Sequence, residues 1–551
     1  MTARSARVAA AIVLALGFSS IVATAPALAE SGASLPPTVT IVAALTAPEG
    51  KTGFIDADLL ASYTSDLGLL TRELDQVVNR PIALGIDPMI IASIRVLGTS
   101  APPTATAWLD RLANATNETF PLTWADSDIT VALQAGSEEV LAPTGFDFAI
   151  DPGLFGESPD VDPTATPTPL PTADPALPPP LPTSESLVAW DYTVPSLAWP
   201  AMNSVTGKNL GLIAASYETT LLSSGNLAGF SSAAATASVD GESVVVSNET
   251  LSALFSTAVS AGAGAEWDAA MAGLHVALAG IPAGGGGAAS VLIALDRSVP
   301  LSDTDLGASI DTVAADPAVR MTGLAELLAD PGAAAKLADE PQAEARITSV
   351  RALLAQEALD RTFAEIAVNP ALITQERRLS LLATISNGWR GNPDGWTSAV
   401  GDYASASTTL RGLVGVVKSS AITLWADRGS LPVIVANGLD QAITVYVAVR
   451  PQSPLLKVEN SLVAVTVEPR SQRKAQVPVQ AISNGKVELE VSLHTAAGTA
   501  LGPTKYVRTT VQAGWETPFT VGLGILVVLV FVMGIVRTVL RRRKLRERHA
   551  E

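Results

Sequence analysis

The chain has 551 residues, enough for two or more folded units, with 48% hydrophobic residues, 16% charged residues and a net charge of −18. It contains no cysteine, which excludes disulfides, thiol catalysis and Cys-ligated metals, and its three histidines (His275, His494, His549) lie too far apart in sequence to suggest a multi-His metal centre. The charge is uneven: residues from Arg537 onward carry +5, the first 29 carry +2, and the 507 between carry −25, so nucleic acid and anionic lipid are not expected as partners of that central region.

Residues 1–29 read as a secretory signal peptide. Arg4 and Arg7 form a positive n-region, Val8–Phe18 is an apolar h-region, and Ala27-Leu28-Ala29 is a small-x-small site ahead of Glu30. An uncleaved anchor is the alternative, and either puts residue 30 onward outside the cell.

Apolar β-rich runs then alternate with helical spacing. Thr38–Leu45 is followed by a helical stretch with Leu59, Leu60, Leu67, Leu70, Leu74 and Val77 on its apolar positions. Pro81–Asp87 reads as a strand, Thr104–Ala115 as a helix and Phe120–Trp124 as a third strand. Such alternation predicts βαβ units and a parallel sheet. Residues 157–186 are rich in Pro and Thr and predict an extended, solvated segment, read as a surface insertion with a domain linker as the alternative. Thr164, Thr166, Thr168 and Thr172 within it suit O-glycosylation.

The alternation resumes with Val194–Pro200, a helix near 204–217, Thr219–Ser223 and Ser243–Ser247. Ser247 or Asn248 is placed to cap a helix running to about 260, and a helix near 265–280 precedes the buried strand Ala289–Asp296. About seven strand–helix units favour a (β/α) barrel-like domain over 38–300, rather than an open doubly wound sheet. Residues 301–417 read as helical, either the end of that barrel or a connector. Over 420–513, seven short alternating β segments separated by turn signals such as Asn437-Gly438 and Asn484-Gly485 predict an immunoglobulin-like β-sandwich.

Phe519–Val536 is an uncharged apolar run long enough to span a bilayer as a helix. Trp515 precedes it, and the tail 537–551 brings seven cations within twelve residues. The positive-inside rule predicts a single-pass plasma-membrane protein with a large extracytoplasmic region and a short cytoplasmic tail.

In a barrel of this kind chemistry sits at the carboxyl ends of the strands. Asp87, Asp126, Asp128 and Asp296 fall there, with Asp151 and Asp191 nearby. A pair of such carboxylates at suitable separation can hydrolyse a glycosidic bond, with Trp124, Trp190 and Trp199 as sugar-stacking faces. The competing reading is that Asp ends strands because it caps the helices and turns that follow. No Asp-plus-two-His set for a metal-dependent deacetylase is present, Gly284–Gly287 lacks the Lys-Ser/Thr of a P-loop, and there is no G-x-S-x-G elbow. The glycosylation sequons at Asn114, Asn117 and Asn248 are weak signals. No cofactor and no metal is expected.

The runs LPVIVANGLDQAITVYVAV, VEPRSQRKAQVPVQAISNGKVELEVSLHTAAGTALG and VRTTVQAGW before the apolar span resemble the actinobacterial domain-of-unknown-function 6049 family, as do PLTWADSDITVALQAG and SLAWPAMNSVTGKNLGLIAAS. The resemblance covers most of 38–540 loosely and 428–543 well. It implies an exported, single-span envelope protein with a barrel-like domain and an immunoglobulin-like domain. It also implies a gene near that of a MurJ/MviN-type lipid II flippase, and hence a role around peptidoglycan assembly. The family has no established catalytic residues to carry over. The expectation is therefore a non-catalytic binding or scaffold protein, held in the lipid bilayer by its C-terminal helix and contacting cell-wall glycan or wall-synthesis membrane proteins. The alternative is a carbohydrate-active hydrolase using the strand-end carboxylates.

Overall fold

The computed structural model describes residues 35–547, apart from 49, 51, 157–180, 231–233, 282–287, 298, 300, 302–303, 331, 418–421, 425–427 and 513–515. The signal-peptide reading, most of the Pro/Thr-rich segment, Trp515 and the last four residues of the tail lie outside the described residues.

The protein is mixed α/β. Eleven strands form one curled sheet: β1 (Thr38–Leu45), β2 (Ala83–Ile86), β3 (Thr119–Pro121), β4 (Leu197–Ala198), β5 (Thr219–Ser223), β6 (Leu227–Ala228), β7 (Thr236–Val239), β8 (Glu242–Ser247), β9 (Ser290–Ala294), β10 (Arg320–Met321) and β11 (Ala333–Leu337). Seven of them run parallel in the order β3-β2-β1-β9-β8-β5-β4. The two ends of that run are consecutive in sequence and meet, since Val194 N donates to Thr119 O at 3.0 Å and Thr119 N donates to Thr193 Oγ1 at 2.6 Å. Each of the seven contributes to one interior cluster: Val42, Ala83, Phe120, Leu197, Leu221, Val245 and Leu292.

Their opposite faces pack on helices, which is why β1 and β9 read as continuous apolar runs rather than alternating ones. Val39, Ile41, Ala43 and Leu45 of β1 join a second, larger core with Leu70, Leu74, Ile90, Ile91, Trp108 and Phe255 from the flanking helices. Aspartate or asparagine caps several of these helices: Asp56 before Ala57–Tyr63, Asp87 before Pro88–Arg95, Asp128 before Ile129–Gln134 and Asn248 before Glu249–Ala261.

The stretch after residue 300 is helical only in part. β10 pairs with β1, and β11 pairs with β7 and β6. The sequence AAAKL of β11 has high helix propensity, but its backbone groups are taken up by neighbouring strands, so tertiary pairing overrides propensity. Three helices follow: Glu344–Ala364, Ala371–Thr384 and Pro393–Gly412.

From 414 the chain is β-structured. The strands are β12 (Val414–Val416), β13 (Ile422–Leu424), β14 (Arg428–Asn437), β15 (Ile443–Pro451), β16 (Leu456–Val458), β17 (Val463–Val467), β18 (Ser471–Ala481), β19 (Gly485–His494) and β20 (Ala500–Val511). They form two sheets, β12-β14-β18-β16 and β13-β20-β19-β15-β17. Both sheets supply one core, with Val433, Val435, Val477 and Val479 from the first and Val445, Val447, Leu489 and Val491 from the second. Period-two alternation is clear in β19, where Val487, Leu489, Val491 and Leu493 are buried between outward Lys486, Glu488 and Glu490. Phe363, Ala364 and Ile373 of the two preceding helices enter this same core. The short β12 and β16 escape a reading by alternation because three residues hold too little of it.

The last element is the helix Glu516–Glu547, whose segment Phe519–Arg543 is long and apolar enough to cross a membrane and is not buried against the other described residues. It is compatible with a single-pass membrane anchor.

Candidate functional site

The turn after β3 departs from ordinary backbone geometry. Ala125 and Asp126 both have left-handed backbone (φ 54° and 44°), which costs a non-glycine residue about 1–2 kcal/mol. The turn is held from several sides. Ala125 N donates to Asp87 Oδ1 at 2.9 Å, Asp128 N donates to Ile385 O at 2.9 Å, and Asn387 Nδ2 donates to both Asp126 O and Asp126 Oδ1.

All four strand-end carboxylates singled out in the sequence belong to this end of the sheet, but their environments differ. Asp87 is fully buried and caps Pro88–Arg95 through Met89 N at 2.9 Å; burial pushes its carboxyl up to about 8. Asp128 is fully buried and caps Ile129–Gln134 through Val131 N, while Gln342 Nε2 donates to both its oxygens at 2.9 and 2.7 Å and the Arg390 guanidinium lies 3.3 Å away. Asp126 is buried against Arg297, with Oδ2 2.9 Å from Nε, and burial outweighs that cation to raise its carboxyl to about 6. Asp296 is half-buried and borders open space. The capping reading thus describes Asp87 and Asp128, an ion pair describes Asp126, and only Asp296 faces a cleft. Asp151 also caps, accepting from Gly153 N at 2.9 Å.

Arg297 organises the region. Its guanidinium lies 4.2 Å from the Trp199 ring centroid, and Nη2 donates to Trp199 O at 2.6 Å. Phe120 packs near the same indole, at 5.9 Å between centroids. Trp199 is 5% exposed and Trp124 3%, the latter stacked on Phe146 at 4.9 Å with Phe54 edge-on. Neither indole offers a free face to a sugar, which corrects the sequence expectation for Trp124 and Trp199, large apolar rings used to close the core; Trp190, the third, is half-buried against the larger core.

Two adjoining hollows lie here and share Leu295, Asp296, Arg297 and Gly391. One, about 350 Å³, is bordered by Trp199, Met202, Asn203, Asn387 and Arg390; the other, about 300 Å³, by Thr46, Leu69, Glu73 and Asn392. Four residues here escaped sequence reasoning. Arg297, Asn387 and Arg390 converge on the acids from far along the chain and carry no local signal. Glu73 did carry one, because it sits three residues after Leu70 on the apolar stripe of Leu69–Val77. It is 6% exposed, its Oε2 has no hydrogen-bond partner among the described residues, and burial raises its carboxyl to about 8. Among the described residues no group of acids and histidines is arranged to hold a metal ion.

The family model described as "Family of unknown function (DUF6049)" matches residues 19–547, and the chain belongs to that family. No curated protein matches it. Among solved structures, E. coli alpha-2-macroglobulin is similar over 18% of this chain and 7% of its own length, at 19% identity and a TM-score of 0.15. WR4, a C. elegans MSP family member, is similar over 18% of this chain and 98% of its own, at 10% identity and a TM-score of 0.14. The alpha-amylase AmyC from Thermotoga maritima is similar over 69% of this chain and 93% of its own, at 9% identity and a TM-score of 0.41. None of the three bears on activity at these values.

Proposed function

We propose that this family member is a membrane-anchored, extracytoplasmic binding or scaffold protein of the cell envelope, acting around peptidoglycan assembly without catalysing a reaction itself. In this reading the curled parallel sheet is a seven-stranded (β/α) barrel. Its two edges touch through residues 119 and 193–194, and every strand feeds the interior cluster. The two C-terminal sheets are an immunoglobulin-like sandwich that spaces the barrel from the bilayer, and the helix from Glu516 is the anchor.

The observation that carries the non-catalytic reading is the use made of the carboxylates. Glycosidic hydrolysis needs two carboxyl groups facing one substrate from about 5–9.5 Å apart. Here Asp87, Asp126 and Asp128 are spent on helix caps, a strained turn and ion pairs, so of the four only Asp296 borders the cleft, and the other carboxyl in the smaller hollow with it, Glu73, is buried in its helix with the charged form disfavoured.

The chain lacks cysteine, so single cysteines report topology directly. Lys486→Cys in the sandwich is expected to react with a membrane-impermeant maleimide in intact cells, and Glu551→Cys only after lysis. The reverse pattern defeats the anchoring. Photocrosslinkers placed around the cleft are expected to capture wall glycan or wall-synthesis proteins. Glycan hydrolysis by the purified chain that disappears in Asp126→Asn and Asp296→Asn would instead establish the hydrolase.

A further inference from the structure

The two hollows around Asp296 and Arg297 adjoin. Each is bordered by residues that carry a buried polar atom with no hydrogen-bond partner among the described residues. In the larger these are Trp199 Nε1, a donor, and Asn203 Oδ1 and Asn387 Oδ1, acceptors, with Trp199 and Asn387 5% and 4% exposed; Arg297 Nε, 2.9 Å from Asp126 Oδ2, makes an ion pair there without a directed hydrogen bond. In the smaller it is Glu73 Oε2. The orientation of the Asn387 amide is fixed, because its Nδ2 is engaged by Asp126. An unpaired buried polar group costs about 1–3 kcal/mol, so their gathering around two adjoining hollows points to a ligand that satisfies them.

The charges limit what that ligand is. Arg297, Arg346 and Arg390 are set against Asp126, Asp128 and Asp296, and Asp126 and Asp128 lie within 4 Å of these cations. Burial favours the neutral form of Glu73. Three cations stand against three carboxylates, so the region offers a phosphate or carboxylate no net positive charge. A hydroxyl-rich neutral molecule matches better, since each hydroxyl both donates and accepts. The volumes, about 300 and 350 Å³, lie at the small end for ligand pockets and suit one sugar ring each.

We propose that the two hollows form one groove for two adjoining neutral sugar units, with Trp199 Nε1 donating to the ligand and Asn387 Oδ1 accepting from it. The inference rests on the binding reading above and gives it a site and a ligand class.

Gly391 provides the decisive variant. It borders both hollows, its backbone is not left-handed, and a Cβ built on it meets nothing within 4 Å. Gly391→Trp should fill the groove without disturbing the fold. The probes are N,N′-diacetylchitobiose and cellobiose, titrated by calorimetry into the full-length chain in detergent, with inorganic phosphate as the charged comparison. The wild type is expected to bind at least one disaccharide saturably and phosphate not at all. Gly391→Trp should abolish binding with an unchanged thermal midpoint. Trp199→Phe, which keeps the ring but loses the N–H, should weaken it about two- to tenfold. Absence of saturable disaccharide binding to a cooperatively melting wild type overturns the proposal. So does binding that survives Gly391→Trp, or a groove that takes phosphate instead. The maleimide experiment tests the envelope reading separately, so an empty groove in a correctly anchored protein defeats this inference alone.

Discussion

Asp360 lies on the helix Glu344–Ala364, 1% exposed, between two arginines from the two helices that follow. Arg377 Nε sits 3.0 Å from Oδ2, Arg411 Nη1 donates to Oδ1, and Ser407 Oγ donates to Oδ2 at 2.6 Å. Arg377 also lies 3.9 Å over the Tyr403 ring and donates to Tyr403 O. Asp360→Asn keeps the volume but leaves Arg377, 9% exposed, beside a neutral group. Breaking one side of a buried ion pair costs about 3–5 kcal/mol. Arg411 is partly exposed and recovers some hydration, which favours the lower figure, ~3 kcal/mol. At roughly 2–4 °C per kcal/mol for a unit of this size, the thermal midpoint should fall by about 6–12 °C. The assay is a circular-dichroism melt of the full chain in detergent, with Arg377→Met added to Asp360→Asn as the second arm. Removing both charges should restore part of the loss, because the penalty is an unpaired ion rather than a lost bond. A single-variant shift under about 1 °C, or a double variant no better than the sum of its parts, refutes the reasoning.

Glu73→Gln tests the buried acid by pH. A folded-state value near 8, above the usual carboxylate range, means the wild type holds its full stability below about 4 and loses it as pH rises towards 8. The Gln variant should therefore gain in urea midpoint relative to wild type at pH 9 and show no gain at pH 4. Asn437→Ala should cost about 2–3 kcal/mol in the same assay. Its amide donates to Gln441 O, Val467 O and Glu468 O and accepts from Leu439 N, tying the end of β14 to the turns around it. Gly53→Ala should destabilise by more than 2 kcal/mol, since φ is +78° and the new Cβ would fall about 2.6 Å from the Leu379 backbone. Gly401→Ala, mid-helix with nothing within 4 Å, should stabilise by roughly 0.5–1 kcal/mol.

The sequence was most informative where one local rule governs a whole element. Ala289–Asp296 showed as a buried strand because both its faces are apolar, Ser247 or Asn248 as a cap because they precede an apolar-periodic run, of which Asn248 is the one that caps, and Phe519–Val536 as a helix long and apolar enough to span a bilayer because it is an uncharged run. The short strands β10, β11 and β12 were invisible, because their pairing is set by distant partners rather than by their own residues. The site was half legible. Strand-end aspartates are conspicuous, but whether Asp87, Asp126 and Asp128 cap, pair or face a ligand depends on Arg297, Gln342, Asn387 and Arg390, which arrive from far along the chain. Glu73 marks the opposite case: a charge on an apolar stripe is a local signal, and it went unread although the residue borders the cleft.

The left-handed turn at Ala125–Asp126 also sets an order of events in the life of the chain. Its principal clasp, Asn387, lies 261 residues later. At about 5–20 residues per second, roughly 13–50 s of synthesis separate the two. During that interval the first strands and helices exist without the segment that fixes their strained corner, and without Arg390 beside Asp128. Contacts of such long range form slowly. The seven parallel strands are complete by residue 294, so the turn at their end is made long before its clasp. Truncation before residue 387 should leave the left-handed turn without that clasp and Asp128 without Arg390.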